Sequence, residues 1–269
     1  MNSLLIQRLF LYSRYYLSAK SIYQMHAPYL FELLQFVYDP DRNYYDFIKI
    51  HEASKSLESN YNLIAENDFS KTHQQAGLSI GAMYKKSGHT LTAYECLYRL
   101  VTYIKPKNSL ELGASVGMSG LSIALANKYG IHTSVEGNSS LAESTNRLFQ
   151  NYELNSARCL HSRFDEFLSN NPRSNLFDFV FIDGDHRYQA TLDNFNKLLD
   201  MLTEDAVLLI DDIHWSAEMH KAWIELSRHP SIHCSLEMMR WGLLFKSKKL
   251  TKGCFSYIPV YYKPWQKFI

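Results

Sequence analysis

The sequence predicts an α/β protein in which helices cover a mostly parallel sheet, preceded by a helical extension. Two observations support this fold class. From residue 108 onward, short apolar runs alternate with stretches of helical spacing, and before residue 86 this alternation is absent. Strands separated by helices need right-handed crossovers, which give a parallel sheet covered on both faces. We therefore expect a helical extension over 1–85 and an α/β domain over 86–269.

The alternating part contains five short apolar runs. They predict strands at 108–113, 132–137, 157–162, 177–183 and 206–211. The sequence around and between them predicts helices at 90–103, 117–129, 140–151, 164–170, 187–202 and 215–228. Two more runs, Ile232 to Met239 and Gly242 to Lys246, are joined by little more than Arg240-Trp241, too short a connection for a crossover. They predict an antiparallel hairpin, so we expect seven strands with one of them antiparallel.

The extension contains one well-marked helix and one ambiguous stretch. The helix begins near Pro28, ends at Asp39-Pro40, and repeats Leu or Val at i, i+3, i+4 and i+7. Residues 51–80 are polar, which is typical either of a linker or of a mobile lid that closes over a cleft.

Composition excludes several classes of protein. A net charge of +1 gives no electrostatic reason to expect a nucleic acid or an acidic membrane surface as partner. The four cysteines form no C-x-x-C pair, which argues against a zinc knuckle or a disulfide framework and favours a reducing compartment. No apolar run approaches the roughly 18 residues of a membrane-spanning helix. We expect a cytoplasmic protein.

The stretch 109–126 is a strand, a small-residue turn and a helix start. The apolar run ends at Gly113, the helical pattern begins after Gly117, and such a unit presents free backbone N–H groups to a polar or anionic ligand. A nicotinamide fingerprint would need glycine where Ser115 stands, which makes a nicotinamide enzyme a distant alternative. Glu111 suits an amino-acid ammonium better than a pyrophosphate.

Glu136 ends the second predicted strand, at the distance from Gly113 where a ribose-binding acid is expected. Its two carboxylate oxygens can accept hydrogen bonds from two vicinal ribose hydroxyls. The alternative is an exposed acid at a strand end.

Carboxylates also follow the fourth and fifth predicted strands directly. Asp183, Asp211 and Asp212 should lie side by side at the carboxyl edge of the sheet, where they repel unless a cation neutralises them. An oxygen-ligated divalent metal is the natural partner. Alternatively, Asp183 positions a cofactor without metal, and Asp211 or Asp212 caps the helix near Trp215.

Two histidines accompany these carboxylates. His186 lies three residues beyond Asp183 and could take a proton near neutral pH as a general base. His214 is a second candidate, as a base or as a metal ligand. The alternative for both is a structural role.

The segment Glu111-Leu-Gly-Ala-x-x-Gly-x-Ser119 resembles motif I of class I S-adenosylmethionine-dependent methyltransferases, and is most similar to the catechol and caffeoyl-CoA O-methyltransferase branch. The resemblance implies a Rossmann-like fold. It also implies cofactor contacts from Glu111, Gly113, Ala114, Ser115, Gly117, Ser119, Glu136, Gly137, Ser162, Arg163 and Asp183. Ser162 and Arg163 would lie beside the adenine, although Arg163 could equally be a surface charge.

In the enzymes resembled, an Asp after the fourth strand and an Asp-Asn pair after the fifth hold Mg²⁺ or a similar ion. Here Asp183 and Asp211 match, but Asp212 replaces Asn, which would tighten a divalent ion or shift the preference towards Mn²⁺. His186 stands where those enzymes carry a catalytic Lys, so Asp183 and His186 are the expected catalytic residues. The Asp183-to-His186 element and Tyr15-Tyr16 also resemble a bacterial methyltransferase group with an N-terminal helical extension.

The function predicted from the sequence is S-adenosylmethionine-dependent, metal-assisted O-methylation of a small-molecule hydroxyl. The glycine bend and the acidic strand ends are expected to share one crevice. A metal-independent methyltransferase acting on another acceptor is the first alternative, and a catalytically degenerate cofactor-binding or scaffold protein is the second. The aromatic N-terminal helices make a homodimer plausible, whereas the acceptor has no readable signature.

Overall fold

The computed structural model describes residues 3–64, 77–171 and 176–267. Within these ranges the helices are α1 (Ser3–Ser18), α2 (Pro28–Val37), α3 (Asp46–Glu58), α4 (Ile80–Ser87), α5 (Leu91–Ile104), α6 (Met118–Ala126), α7 (Ser139–Asn151), α8 (Phe164–Asn170), α9 (Tyr188–Leu199) and α10 (Ala217–Ser227). The strands are β1 (Asn108–Leu112), β2 (Ile131–Glu136), β3 (Ala157–His161), β4 (Phe177–Ile182), β5 (Leu202–Ile210), β6 (Cys234–Glu237), β7 (Gly242–Phe245) and β8 (Gly253–Ser256).

The chain divides into two compact units. The first comprises Met1–Tyr38 with Arg173–Ile269, and the second comprises Asp39–Pro172. In the second unit, β2 pairs in parallel with β1 and with β3, and its Val135 lies opposite Leu112 on one side and Leu160 on the other. The buried faces of α5, α6 and α7 supply the apolar side chains that pack in this unit.

In the first unit, β4 and β5 are parallel, β7 is antiparallel to both β5 and β6, and β6 is parallel to β8. The apolar run of β4 is almost fully buried, as is the second half of β5 from Ala206 to Ile210. Strands buried on both faces read as continuous apolar runs, which is why the sequence located them.

The predicted fold class is confirmed: a mixed α/β fold, mostly parallel, with the β6–β7 hairpin antiparallel. The described residues contain eight strands rather than seven. The additional strand, β8, has only four residues and mostly half-exposed side chains, so it carries no apolar pattern. Strand β5 begins at Leu202 rather than at 206. The prediction missed this start because Leu202 is followed by the polar residues Thr203, Glu204 and Asp205.

The predicted N-terminal helix is confirmed as α2, and its repeated Leu and Val side chains are buried. The expectation of a linker or a mobile lid from residue 51 is wrong for 51–58, which belong to α3. That helix buries Phe47, Ile50 and Leu57 on one face, a pattern that its polar residues concealed. Residues 65–76 of the predicted lid lie outside the described residues, and the domain boundary at 85/86 stays a prediction. Among the described helices, none has the length and apolar character needed to cross a membrane.

Candidate cofactor and catalytic sites

The turn after β1 is shaped by three residues with positive φ. Gly113, Ser115 and Gly117 have φ of +101°, +48° and +87°, and the Gly117 N–H donates to the carbonyl of Ala114 at 2.8 Å. A Cβ at Gly117 would lie 2.9 Å from the side chain of Thr145, so glycine is required there both by conformation and by space. The turn delivers the chain directly into α6.

Glu136 closes this turn from the end of β2. Its Oε2 accepts the backbone N–H of Ser115 and its Oε1 accepts that of Asn138, both at 2.9 Å. Burial raises the pKa of Glu136, although these N–H donors act in the opposite direction. Each oxygen keeps a further lone pair for a hydroxyl donor. The carboxylate is half-buried and accepts two hydrogen bonds, so the alternative of an exposed acid at a strand end does not describe it.

Glu111 lies fully buried between the strand layer and α6. Its Oε2 accepts the hydroxyl of Ser134 at 2.5 Å, and a Cβ at Gly120 would approach the same oxygen to 2.8 Å. Its Oε1 is buried without a hydrogen-bond partner among the described residues. The surroundings give Glu111 a local role in packing α6, and its contact with an ammonium group stays a prediction.

The remaining predicted cofactor residues of this unit differ in exposure. Ala114 and Ser119 are buried, and the carbonyl of Gly137 is 3.2 Å from His161 Nε2. The backbone N–H of Ser162 donates to the carbonyl of Glu136 at 3.1 Å, which places Ser162 beside the end of β2. Arg163 forms a bidentate pair with Asp165 at 3.0 and 3.2 Å, and both side chains are about half exposed. That pairing favours the interpretation of Arg163 as a surface charge.

In the first unit, Asp211 follows β5 and is fully buried. Both of its oxygens accept from the guanidinium of Arg240: Nε lies 2.7 Å from Oδ1 and Nη2 lies 2.9 Å from Oδ2. Arg240 Nε also lies 3.2 Å from Oδ1 of Asp212. Burial alone would lower the pKa of Arg240, but hydrogen bonds to Asp211 and the charges of Asp211, Asp212 and Asp183 outweigh it and raise that pKa. The three carboxylates therefore share one built-in cation.

A divalent ion at Asp211 and Asp212 would have to share these carboxylates with Arg240, and metal binding here stays a prediction. Both oxygens of Asp211 and one of Asp212 already face a guanidinium, whose positive charge would repel a second cation at contact distance. The bidentate geometry is the one in which arginine binds carboxylate most strongly. The charge balance that the sequence assigned to Mg²⁺ or Mn²⁺ is supplied here in part by a side chain.

His186 lies beside the same group of charges. Its Nε2 is 3.9 Å from Oδ2 of Asp212, and its side chain is 27% exposed, so it is accessible to a ligand. Asp212 has φ of +52°, a left-handed conformation at the end of the strand. Neither Asp211 nor Asp212 caps the following helix: Ser216 caps α10 by accepting the N–H of Met219 at 3.1 Å.

His214, the second candidate base, is fully buried. Its Nδ1 lies 2.9 Å from the carbonyl oxygen of Met239, and its Nε2 lies 3.0 Å from Oε1 of Glu237. Because both ring nitrogens already have partners and no part of the ring is accessible, it is poorly placed to exchange a proton with a substrate.

Sequence reasoning missed Arg240 and Tyr12. Arg240 counted only as part of a short connection, although a lone basic residue between two buried strands, with acidic strand ends nearby, was the available signal. Tyr12 belongs to no motif in the sequence. Its ring centroid lies 5.4 Å from that of His214, and burial together with the negative charge of Asp212 raises the pKa of Tyr12.

The fold and the glycine turn after β1 together indicate the class of protein that this chain resembles. The structure has the fold of class I S-adenosylmethionine-dependent methyltransferases, and residues 110–213 match the family model described as a methyltransferase domain. This match and the shared fold confirm the predicted resemblance to S-adenosylmethionine-dependent methyltransferases. No curated protein matches the sequence.

Several solved structures share this fold at low sequence identity. The O-methyltransferase of Bacillus cereus in complex with SAH is 16% identical, with a TM-score of 0.52 over 80% of this chain and 96% of that one. TomG of Streptomyces achromogenes, an O-methyltransferase of tomaymycin synthesis solved with SAM, is 14% identical, with a TM-score of 0.54 over 77% and 91%. The SAH-bound methyltransferase PaMTH1 of Podospora anserina is 11% identical, with a TM-score of 0.56 over 82% and 96%.

Proposed function

We propose that this protein transfers the methyl group of S-adenosylmethionine to a hydroxyl oxygen of a small molecule. The observation that carries the proposal is the carboxylate of Glu136, held by the N–H groups of Ser115 and Asn138 at the glycine turn. A carboxylate fixed by neutral backbone donors keeps its charge and its remaining lone pairs for two ribose hydroxyls. Solved neighbours of the same fold carry SAM or SAH, which supports this cofactor.

In the proposed reaction, a bond forms between the acceptor oxygen and the methyl carbon, and the bond from that carbon to the sulfonium sulfur breaks. The acceptor's proton goes to Nε2 of His186. Oδ2 of Asp212 lies 3.9 Å from that nitrogen, and a positioned histidine is the most common general base in enzymes. Positioning of the two reactants supplies much of the remaining rate enhancement.

We further propose that this transfer needs no metal at Asp183, Asp211 and Asp212. The predicted metal assistance loses support because Arg240 engages both oxygens of Asp211. This favours the metal-independent alternative, in which Arg240 rather than Mg²⁺ balances the carboxylates. A small-molecule acceptor, the absence of a nucleic-acid or membrane partner, and a homodimer remain predictions.

The test is formation of SAH from S-adenosylmethionine across a panel of phenolic, catecholic and aliphatic hydroxyl acceptors, with and without a chelator. We expect turnover with at least one acceptor, unaffected by the chelator. His186→Ala should lower kcat by roughly 10²- to 10⁴-fold, as loss of a general base does. It should leave cofactor binding by calorimetry unchanged.

His51→Ala is the matched control, because it removes another half-exposed histidine paired with a carboxylate, Glu95, at 2.8 Å. Cofactor binding without turnover across the whole panel would favour the scaffold alternative. Loss of turnover on chelation, restored by Mg²⁺, would restore the metal-assisted mechanism.

A further inference from the structure

A second cluster of ligating side chains lies in the first unit and has no part in the proposed reaction. It consists of His214 after β5, His220 on α10 and Glu237 at the end of β6, and we call it the His214 cluster. One ligand atom from each of the three side chains lies within 4.8 Å of the other two. Three separate elements therefore bring two imidazoles and a carboxylate to one point.

The hydrogen bonds of His214 define the tautomer that could bind a ligand. A carbonyl oxygen can only accept, so His214 Nδ1, 2.9 Å from the carbonyl of Met239, must carry a proton and donate it. Its Nε2 is then directed to Oε1 of Glu237, 3.0 Å away. Metal-binding histidines typically use this pattern, in which one ring nitrogen donates to a carbonyl and the other faces the ion.

His220 supplies an independent observation. Its Nδ1 is buried and has no hydrogen-bond partner among the described residues. Buried polar nitrogens are almost always paired, because leaving one unpaired costs free energy. The rings of His220 and His214 have centroids 5.3 Å apart and planes at 24°, and one ring nitrogen of His220 is among the three ligand atoms of the cluster. An ion there would satisfy this lone pair.

We propose that His214 Nε2, His220 Nδ1 and Glu237 bind one transition-metal ion of the Zn²⁺ class. Two imidazole nitrogens and one carboxylate oxygen suit Zn²⁺, Co²⁺ or Fe²⁺, whereas Mg²⁺ prefers oxygen ligands alone. The ion would join the segment after β5 to α10 and β6, so its role is structural. The proposal is independent of the methyl-transfer reaction, because it involves none of the residues assigned to that reaction.

The competing explanation is a buried ion pair. If Nε2 of His214 is also protonated, its imidazolium meets the carboxylate of Glu237, and no metal is required. That explanation leaves Nδ1 of His220 unpaired, whereas the metal accounts for all three side chains. Tyr15 is not a fourth ligand, since its hydroxyl donates to the carbonyl of Tyr257.

The experiment titrates chelator-treated full-length protein with Co²⁺, followed by visible absorption, and with Zn²⁺, followed by calorimetry. We expect one equivalent to bind, with the intense visible bands of a low-coordinate nitrogen-containing cobalt site, and we expect Mg²⁺ not to compete. The stoichiometry matters because the chain has 11 histidines and surface sites would bind in excess of one. His220→Ala should weaken the one-equivalent site by at least about 100-fold, more than loss of an outer hydrogen bond does.

His51→Ala is again the matched control, since it removes a histidine–carboxylate pair that belongs to no three-ligand group among the described residues. It should leave the metal site intact. Should His220→Ala fail to fold by circular dichroism, His220→Gln keeps the volume and is expected to lose the Zn²⁺-induced rise in Tm. The proposal is overturned if folded wild-type protein binds no Co²⁺ or Zn²⁺, which means an ion pair only. It is equally overturned if the folded His220 variant keeps the one-equivalent site.

Discussion

The carboxylates at the ends of β2 and β5 have different hydrogen-bond donors. At the end of β2, the carboxylate of Glu136 meets neutral backbone N–H groups, which hold it in place without cancelling its charge. At the end of β5, the carboxylate of Asp211 meets a guanidinium that cancels its charge through two short hydrogen bonds. The first arrangement leaves an acceptor for ligand hydroxyls, whereas in the second a neighbouring side chain already neutralises the carboxylate. Similar residues at similar places in the fold are thus suited to different chemistry.

The Glu136→Ala variant tests most directly whether the carboxylate at the end of β2 binds ligand hydroxyls. It removes two charge-assisted acceptors for the ribose hydroxyls, each worth roughly 1.5–3 kcal/mol. We expect 1:1 binding of S-adenosylmethionine by calorimetry to weaken by at least about 100-fold. Glu143→Ala is the control, because it removes an exposed glutamate of α7 that pairs with Arg147 at 2.7 Å. Unchanged affinity in Glu136→Ala would remove the ribose assignment.

The Arg240→Ala variant tests the ion pair at the end of β5, because it leaves Asp211 buried without its guanidinium partner. Removal of one member of a buried pair costs about 3–5 kcal/mol, and we expect roughly 3 because Arg240 is itself 38% exposed. Denaturant unfolding measures the loss.

The matched control is Arg187→Ala, whose bidentate partner Asp185 is about one-third exposed and whose own side chain is 71% exposed. Exposed pairs contribute about 0–1 kcal/mol, so this variant should unfold near the wild-type midpoint. Equal losses for the two variants would contradict the view that Arg240 is the internal cation of the cluster.

A smaller effect concerns the turn that presents its N–H groups to Glu136. Gly117→Ala should lower the free energy of unfolding by roughly 1–2 kcal/mol for the left-handed conformation, plus the cost of a contact with Thr145 at 2.9 Å. Gly77→Ala isolates the first contribution, since φ there is +79° and a Cβ would meet nothing within 4 Å. A Gly117 variant no less stable than the Gly77 variant would mean that the turn tolerates a side chain.

The smallest expected effect is a pH dependence at Glu136. Burial raises its folded-state pKa above 4.5, so just above that pH the folded state binds more protons than the unfolded state. The free energy of unfolding should therefore fall as pH rises through the window between the two pKa values. Wild type should show a steeper fall than Glu136→Gln, which does not titrate. Parallel profiles for the two proteins would contradict the pKa direction.

The sequence alone was enough to predict the strand–turn–helix order, the turn between Gly113 and Gly117, and the position of Glu136 at the end of β2. These features are local: the apolar runs are buried, glycine adopts positive φ, and an acid ends the next strand. Helix α3 escaped prediction because its apolar face is masked by polar residues, and β8 because half-exposed strands of four residues leave no pattern. Both owe their structure to neighbours rather than to their own periodicity.

What the sequence determined, then, is the fold class, the glycine turn and the carboxylates at the strand ends, since each follows from short-range pattern. Only the tertiary structure decided what neutralises those carboxylates. Arg240 lies 29 residues from Asp211 in the chain, and no local pattern links them. The same holds for His214 and Glu237, which are 23 residues apart. Charge pairing depends on distance in space, which the chain acquires only when its strands have paired.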